Sequence, residues 1–481
     1  MVAVRKPYHR GLGVDGYDKL LKTNQIEYFK DMAFYEKIAI DMTADMARYA
    51  NMEDDALLHY ADSHPKQALR IQAWTELNES GERYDRLWVR TVLYKLKKDE
   101  IAKPGKPQRM IGDLGVAASL QGFMLTKYIK QYLADHPLDI GGGECEFIAK
   151  PDYFTMKELF HKLIDPPGRF YFCYFSDDSC FSFKHKGKVY RYNVDISKCD
   201  ASHGPGIFSA MEHITPWTHR DDMCRLNEQC KLPIRIVSCN DKSHKIKGRF
   251  DGPRLYSGCT TTTIINNLAN VTICRQLSRA LTYINENNVH PDDFEQVFEN
   301  HIEACGYIVT GLGTADRCDE IEQLQFLKHS PVLDITGTYE PVLNFGVFLR
   351  ASGTCKGDLP GKNTTPIEDR ASSFQSSILK GMYPRLSAPI IGRFKAAAGG
   401  MATLGSDKHF MKDMAYKANF SDAPLLFFSD EELLRRYDLD EVDFLDLAAF
   451  AGCKPGYGDA TSAPFVDKIL QVDYQLSSRC D

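Results

Sequence analysis

Residues 169–200 read RFYFCYFSDDSCFSFKHKGKVYRYNVDISKCD, and the fold turns on this stretch. Its aromatic and β-branched runs favour strands. Between the first two runs stands Phe175-Ser176-Asp177-Asp178-Ser179, so the pattern predicts a strand, a tight turn and a return strand. Asp and Ser are ordinary turn residues. Adjacent carboxylates nevertheless repel each other unless a cation sits between them. Mg²⁺ takes one or two carboxylates together with substrate phosphates, and this pair could supply them. A second acidic element follows: VYRYNV runs into Asp195-Ile-Ser-Lys-Cys-Asp200, which puts a carboxylate at a strand end where ions can reach it.

Downstream, Ser257-Gly258 opens a predicted long helix over 260–287, TTTTIINNLANVTICRQLSRALTYINEN. Thr262 and Asn266 are four apart and share a helical face. Thr caps at a helix N-terminus would account for the pattern. A functional reading adds a glycine hinge, then hydroxyl and amide groups for a ribose. Another helix is expected at 292–305, with short strands near GYIVTG and LQFLKHSP. Upstream, 15–100 reads as mainly helical, and a helix is expected in SLQGFMLTKYIKQYL. Residues 91–109 carry six basic and two acidic side chains, and Pro-Gly-Lys-Pro within them predicts a loop. A second basic stretch spans 231–254, with seven Lys or Arg and two Asp. The region after about 346 reads as helix-rich, with a capping box from Ser429 to Glu432 in an acidic segment.

The 481 residues are 43% apolar and 26% charged, with a net charge of −6, which excludes disordered, collagen-like and fibrous chains. The length allows about three domains or one elaborated fold, and the chain reads as one continuous globular unit without a linker or repeat. No apolar run is long enough to span a membrane, and MVAVRKPYHRGLG lacks the apolar stretch of a secretory leader. The 14 Cys form no Cys-x-x-Cys pair, which favours reduced thiols in a cytosolic compartment over a zinc framework. Cys224, Cys230, Cys239 and His244 come nearest to a metal set, but their spacing is irregular. Mild acidity argues against a surface that grips nucleic acid everywhere, and is compatible with a basic channel.

Together these elements resemble the palm of viral RNA-dependent RNA polymerases. Asp195-x4-Asp200 resembles motif A, and Ser257-Gly258-x3-Thr262-x3-Asn266 resembles motif B. Most members carry a Gly-Asp-Asp hairpin after motif B. Here the acidic pair in that region is Asp292-Asp293, whose polar flanks and preceding Pro read as a helix start. The hairpin with suitable flanks is Ser176-Asp177-Asp178, 18 residues before Asp195 when counted from Asp177. The order C-A-B resembles the permuted polymerases of birnaviruses and permutotetraviruses. Ser-Asp-Asp departs from the Asn that those families carry third, which leaves the lineage open. Lys98-x-Glu100 and Lys103-Pro-Gly-Lys106-Pro-Gln-Arg109-Met-Ile111 resemble motif F of tombus- and noda-like polymerases. Residues 292–306 match motif D, and Leu324-Gln-Phe-Leu-Lys328 matches the primer-grip turn, motif E.

The resemblance covers roughly residues 95–330. It implies an α+β right-hand polymerase fold with an antiparallel palm sheet flanked by helices. Fingers would occupy 1–168, the palm 169–345 with a fingers insertion near 203–256, and the thumb with a tail 346–481. It implies a nucleotidyltransferase that copies viral RNA from NTPs with two Mg²⁺ ions, Mn²⁺ being an alternative. The ions would lie between Asp177 and Asp195, with Asp178 in support. Asp200, Ser257, Gly258, Thr262 and Asn266 would hold the nucleotide and its ribose. Lys98, Lys103, Lys106 and Arg109 would meet the triphosphate, and Phe326 and Lys328 would grip the primer. Partners would be template and nascent RNA, NTPs, and other viral replication proteins or a protein primer, in the cytoplasm of an infected host cell. Alternatives are a catalytically silent palm that binds RNA as a replication scaffold, a reverse transcriptase, or an unrelated α/β protein. Asp200 with Asn266 speaks against the reverse transcriptase, which would carry a bulky aromatic against the 2′-hydroxyl.

Overall fold

The computed structural model describes residues 28, 30–45, 68–69, 71–72, 75, 91–96, 110–237, 245–250, 252–353, 384–397, 420, 423–424, 426–452 and 463–474. Helices and sheets mix along the chain, which is an α+β protein. The strands are β1 Val92–Leu96, β2 Met110–Asp113, β3 Leu138–Asp139, β4 Glu144–Phe147, β5 Phe170–Phe175, β6 Asp178–His185, β7 Lys188–Ile196, β8 Ile234–Val237, β9 Lys245–Gly248, β10 Val309–Thr310, β11 His329–Leu333 and β12 Tyr339–Leu343. Although the sequence carries no linker signal, the chain gathers into two compact units. The first comprises Met1–Phe147, Phe172–Ser179 and Val194–Asp316, and the second Ile148–Tyr171, Cys180–Asn193 and Arg317–Asp481.

The first unit is built on the helix Thr262–Glu286, which is buried along most of its length. It has no Gly or Pro to break it, and all of its Ile, Leu, Val and Ala side chains are buried. Against it pack the helices Val116–Asp135, Pro205–Ile214 and Phe294–Glu303, together with β4. The helix Met32–Ala44 packs on Pro205–Ile214. Buried Asp31 holds Arg275 of the long helix through two nitrogens, at 2.8 and 3.1 Å. One correction to the expected helices falls at 92–96, which is strand β1. Val92, Leu93 and Tyr94 are good strand formers and find partners on both sides, β2 antiparallel and β8 parallel. Tertiary pairing overrides local periodicity here. With β9 they make a four-stranded sheet of order β2-β1-β8-β9.

A six-stranded sheet runs in the order β10-β7-β6-β5-β4-β3. β5 is buried along all but its last residue, as a central strand should be. β7 alternates buried and more exposed positions, so one face is covered. Lys186 and Gly187, both at positive φ (49° and 76°), join β6 to β7. That two-residue turn is the type I′ connection of a tight antiparallel hairpin. It sets His185 opposite Lys188, and stepping back along both strands sets Asp178 opposite Asp195. Three contacts follow this register. Phe183 stacks on Tyr190 at 5.3 Å. The Cys180 thiol meets Asn193, and the Ser179 hydroxyl donates to the Val194 carbonyl at 3.1 Å.

In the second unit the helix Tyr153–Ile164 is capped by Asp152, whose carboxylate accepts from the Thr155 N–H at 2.7 Å. It packs on β12, where Glu340 accepts from the Tyr153 hydroxyl and pairs with Lys157 at 2.6 Å. Among the described residues the C-terminal part is helical, as expected. Phe345, Phe348, Leu386, Ile390, Tyr437 and Ile469 form its core with their neighbours. The helix Asp430–Tyr437 begins directly after Ser429. Asp473 is fully buried and accepts from the Gly346 N–H, the Tyr437 hydroxyl and Arg436.

Candidate active site

The β5–β6 hairpin ends in a two-residue tip, Ser176-Asp177. Ser176 has φ 57°, the left-handed region that a non-glycine residue adopts only under constraint. Asp177 is exposed at the tip, Asp178 begins β6 half-buried, and Asp195 lies exposed near the end of β7. On its other side Asp195 pairs with Thr310 of β10. Like charges directly opposite in a sheet destabilise it, and this register sets Asp178 opposite Asp195. Burial pushes Cys199 well above the ordinary thiol range, and the charges of Asp200, Asp177 and Asp195 push it further.

The constraint on Ser176 comes from three carboxamides of the long helix. The Ser176 N–H donates to the Asn267 side-chain oxygen at 2.8 Å. The Asn270 amide donates to the Ser176 carbonyl at 2.6 Å, and the Asn266 amide donates to the Ser176 hydroxyl at 3.2 Å. The backbone groups of the acid-bearing tip are thus held by a buried helix. Asn is a poor helix former, and two amide atoms here, Asn267 Nδ2 and Asn270 Oδ1, are buried without a hydrogen-bond partner. Unsatisfied buried polar atoms are costly, so these residues are not there for helix stability. Sequence reasoning missed Asn267 and Asn270. The available signal was three Asn clustered at 266, 267 and 270 in the first half of a long helix.

Asp200 sits in a one-turn helix, Cys199–Ser202, and accepts from Asn266 Nδ2 at 3.1 Å. The expected pair of Asp200 and Asn266 is therefore brought together. Behind it, His203 Nε2 lies 2.8 Å from Asn266 Oδ1 and its Nδ1 lies 3.1 Å from the Tyr307 hydroxyl. Tyr307 in turn meets the Tyr28 hydroxyl at 2.9 Å. Burial brings the His203 ring down from its ordinary 6.5 to about 4, against smaller opposing effects of Asn266 and Asp200. Desolvation raises the Tyr94 phenol, which also feels the charges of Arg254 and Asp200. His203 was not singled out by the sequence.

The loop before the long helix is shaped by close approach. Gly258 has φ 107°, and a Cβ there would fall 2.5 Å from Ile111 Cγ2. The Gly112 N–H donates to the Ser257 carbonyl at 3.0 Å. The motif-B-like loop thus lies against β2, whose Met110 and Ile111 end the motif-F-like segment. Ser257 is half-buried and Gly258 exposed. Thr262 uses its hydroxyl within the loop, donating to the Tyr256 carbonyl at 3.1 Å.

Lys98, Lys103, Lys106 and Arg109 lie outside the described residues, as do Cys239 and His244. In the second unit, Phe326 is buried and pairs with His329 across a tight turn. Leu327 and Lys328 form its tip, both at positive φ, and Lys328 is half-buried. Among the described residues no three His, Cys, Asp or Glu side chains gather into an ion site. Mg²⁺ needs only one or two carboxylates beside water and phosphates, and the oxygen donors of Asp177, Asp178 and Asp195 at adjacent strand ends fit that demand. No helix among the described residues is long and apolar enough to cross a membrane. No known family profile matches the chain, and no curated protein matches it in sequence.

Proposed function

We propose that this chain is a viral RNA-dependent RNA polymerase of the right-hand type, with palm motifs in the permuted order C-A-B. One observation carries the reading: Asp178 faces Asp195 across a hairpin whose strained tip is held by the Asn-bearing helix of the motif-B-like segment. Asp177, Asp178 and Asp195 would hold two Mg²⁺ ions. Bound there, such ions lower the pKa of an attacking 3′-hydroxyl and stabilise the leaving pyrophosphate. The remaining steps fall to the chain itself. Asn267 and Asn270 keep the tip in its left-handed turn, so the acids are arranged before substrate arrives. Asp200 would present an acceptor to a ribose 2′-hydroxyl, the group that separates RNA from DNA precursors, and buried Asn266 holds that carboxylate in place at 3.1 Å. Lys98, Lys103, Lys106 and Arg109 would neutralise the triphosphate by the motif F resemblance.

A basic sheet edge suits the template. Arg235 stands opposite Lys247 on β8 and β9, with Lys245 two residues before it, and all three are exposed. Phosphates offset that repulsion without any sequence being read.

Primer extension on an RNA template with Mg²⁺ or Mn²⁺, wild type beside Asp177→Ala, tests the reading. Extension by wild type alone is expected. Extension by both would move the metal-binding pair elsewhere, with Asp292-Asp293 next in line. Extension by neither would favour a silent RNA-binding palm. Asn266→Ala should lower the preference for NTPs over dNTPs, and an unaltered ratio would remove Asn266 from sugar selection.

A further inference from the structure

His203 is a buried base to which the polymerase reading assigns no role, yet both of its ring nitrogens are engaged. We propose that His203 is a positioning residue for sugar selection: its Nε2–H holds the Asn266 carbonyl oxygen and so turns the Asn266 amide toward Asp200. What the Asp200–Asn266 pair does with that orientation rests on the polymerase reading; the orientation itself does not.

A carboxamide is nearly symmetric in shape and opposite in polarity at its two ends. Asn266 Nδ2 lies 3.1 Å from Asp200 Oδ1 and 3.2 Å from Ser176 Oγ, while Oδ1 lies 2.8 Å from His203 Nε2. Reversed, the amide would set its oxygen against a carboxylate and its NH₂ against a ring N–H. An amide oxygen only accepts, so Nε2 carries the hydrogen. The partner of the other nitrogen selects that tautomer. With the hydrogen on Nε2, Nδ1 is the acceptor for the Tyr307 hydroxyl 3.1 Å away, and the Tyr307 oxygen is then the acceptor for Tyr28 at 2.9 Å. The ring's other neighbours are the Cys199 thiol, 3.8 Å from Nε2, and the charges of Asp200 and Arg254. Burial keeps the ring neutral near pH 7, and a neutral imidazole donates through one nitrogen only. The chain Tyr28, Tyr307, His203, Asn266, Asp200 is therefore polarised in one direction. It links a residue of the N-terminal region to a group that would meet the sugar.

The test compares single-nucleotide incorporation of an NTP and its matching dNTP by the full chain, as wild type, His203→Leu and His203→Gln. Leucine keeps bulk and removes the donor. The preference for NTP should fall about five- to tenfold, the worth of one buried hydrogen bond. The loss should appear in KM for the NTP, with the dNTP values unmoved. Glutamine, whose NH₂ can reach the Asn266 oxygen, should recover most of the preference. In parallel, nitrogen NMR of the histidine-labelled wild type should read a neutral Nε2–H tautomer for His203 at pH 7. An unchanged preference in His203→Leu overturns the proposal, and so does an Nδ1–H tautomer. The NMR reading decides the orientation even in a preparation that polymerises nothing, an outcome that would count against the polymerase reading and not against His203.

Discussion

Asp177-Asp178 and Asp292-Asp293 are the same dipeptide in the same unit, set in two different kinds of element. Asp292 and Asp293 close a 3₁₀ turn that leads into the helix Phe294–Glu303. A helix N-terminus favours carboxylates, and His290 lies 3.3 Å from Asp292. Their charge is answered locally, by elements that any exposed helix start can supply. Asp177 and Asp178 stand at a hairpin tip, and what Asp178 meets across the sheet is another carboxylate, Asp195. Their tip is held by carboxamides 90 or more residues away in sequence. An acidic pair at a helix start stabilises the element it caps. An acidic pair held at a hairpin tip opposite a third carboxylate is the arrangement that the proposed metal binding would use.

The comparison breaks first, and with the largest effect, on activity. Asp195→Asn is expected to bring primer extension to background while raising the thermal unfolding midpoint, because one of two facing charges is gone. A lowered midpoint would mean that Asp195 is structural. Next comes acid stability. Burial brings the His203 ring down to about 4 in the folded chain, from the ordinary 6.5 that it regains on unfolding. The unfolded chain therefore takes the proton first, and stability should fall as pH drops from about 6.5 to about 4, by on the order of 3 kcal/mol. Denaturant titrations across that window should show a shallower loss in His203→Gln, and equal slopes would refute the buried neutral ring. Asn270→Ala, which strips the Ser176 carbonyl of a donor, should cost about 1–3 kcal/mol and slow extension about 10–100-fold, as the loss of a metal ligand's support does. Activity at the wild-type level would show that the tip keeps its shape unaided. The smallest effect belongs to the second pair. Asp292→Ala should cost less than about 1 kcal/mol and leave extension unchanged.

The strand–turn–strand pattern of 169–196 was legible because aromatic and β-branched runs alternate with turn residues. The long helix was legible because nothing in 262–286 interrupts it. Strand β1 was not, since five residues containing a Lys carry too little pattern to outweigh a helical neighbourhood. The Lys186-Gly187 turn held more than was read from it: a two-residue connection fixes register, and the register pairs Asp178 with Asp195. Asn267, Asn270 and His203 were invisible for a different reason. A polar residue in a buried helix has meaning only through its partner, and the partner of Asn267 lies 91 positions earlier. Composition and spacing carry no record of that distance.

The order of the motifs also bears on how the site assembles. Asp178 and Asp195 are 17 residues apart, on one hairpin, and short loops close at little entropic cost and at high rate. The carboxamide clamp must wait for a helix that lies some 90 residues further along the chain. Folding is therefore expected to bring the acids together as a local event and to secure them by a later, long-range one, with Ser176 the point at which the two stages join.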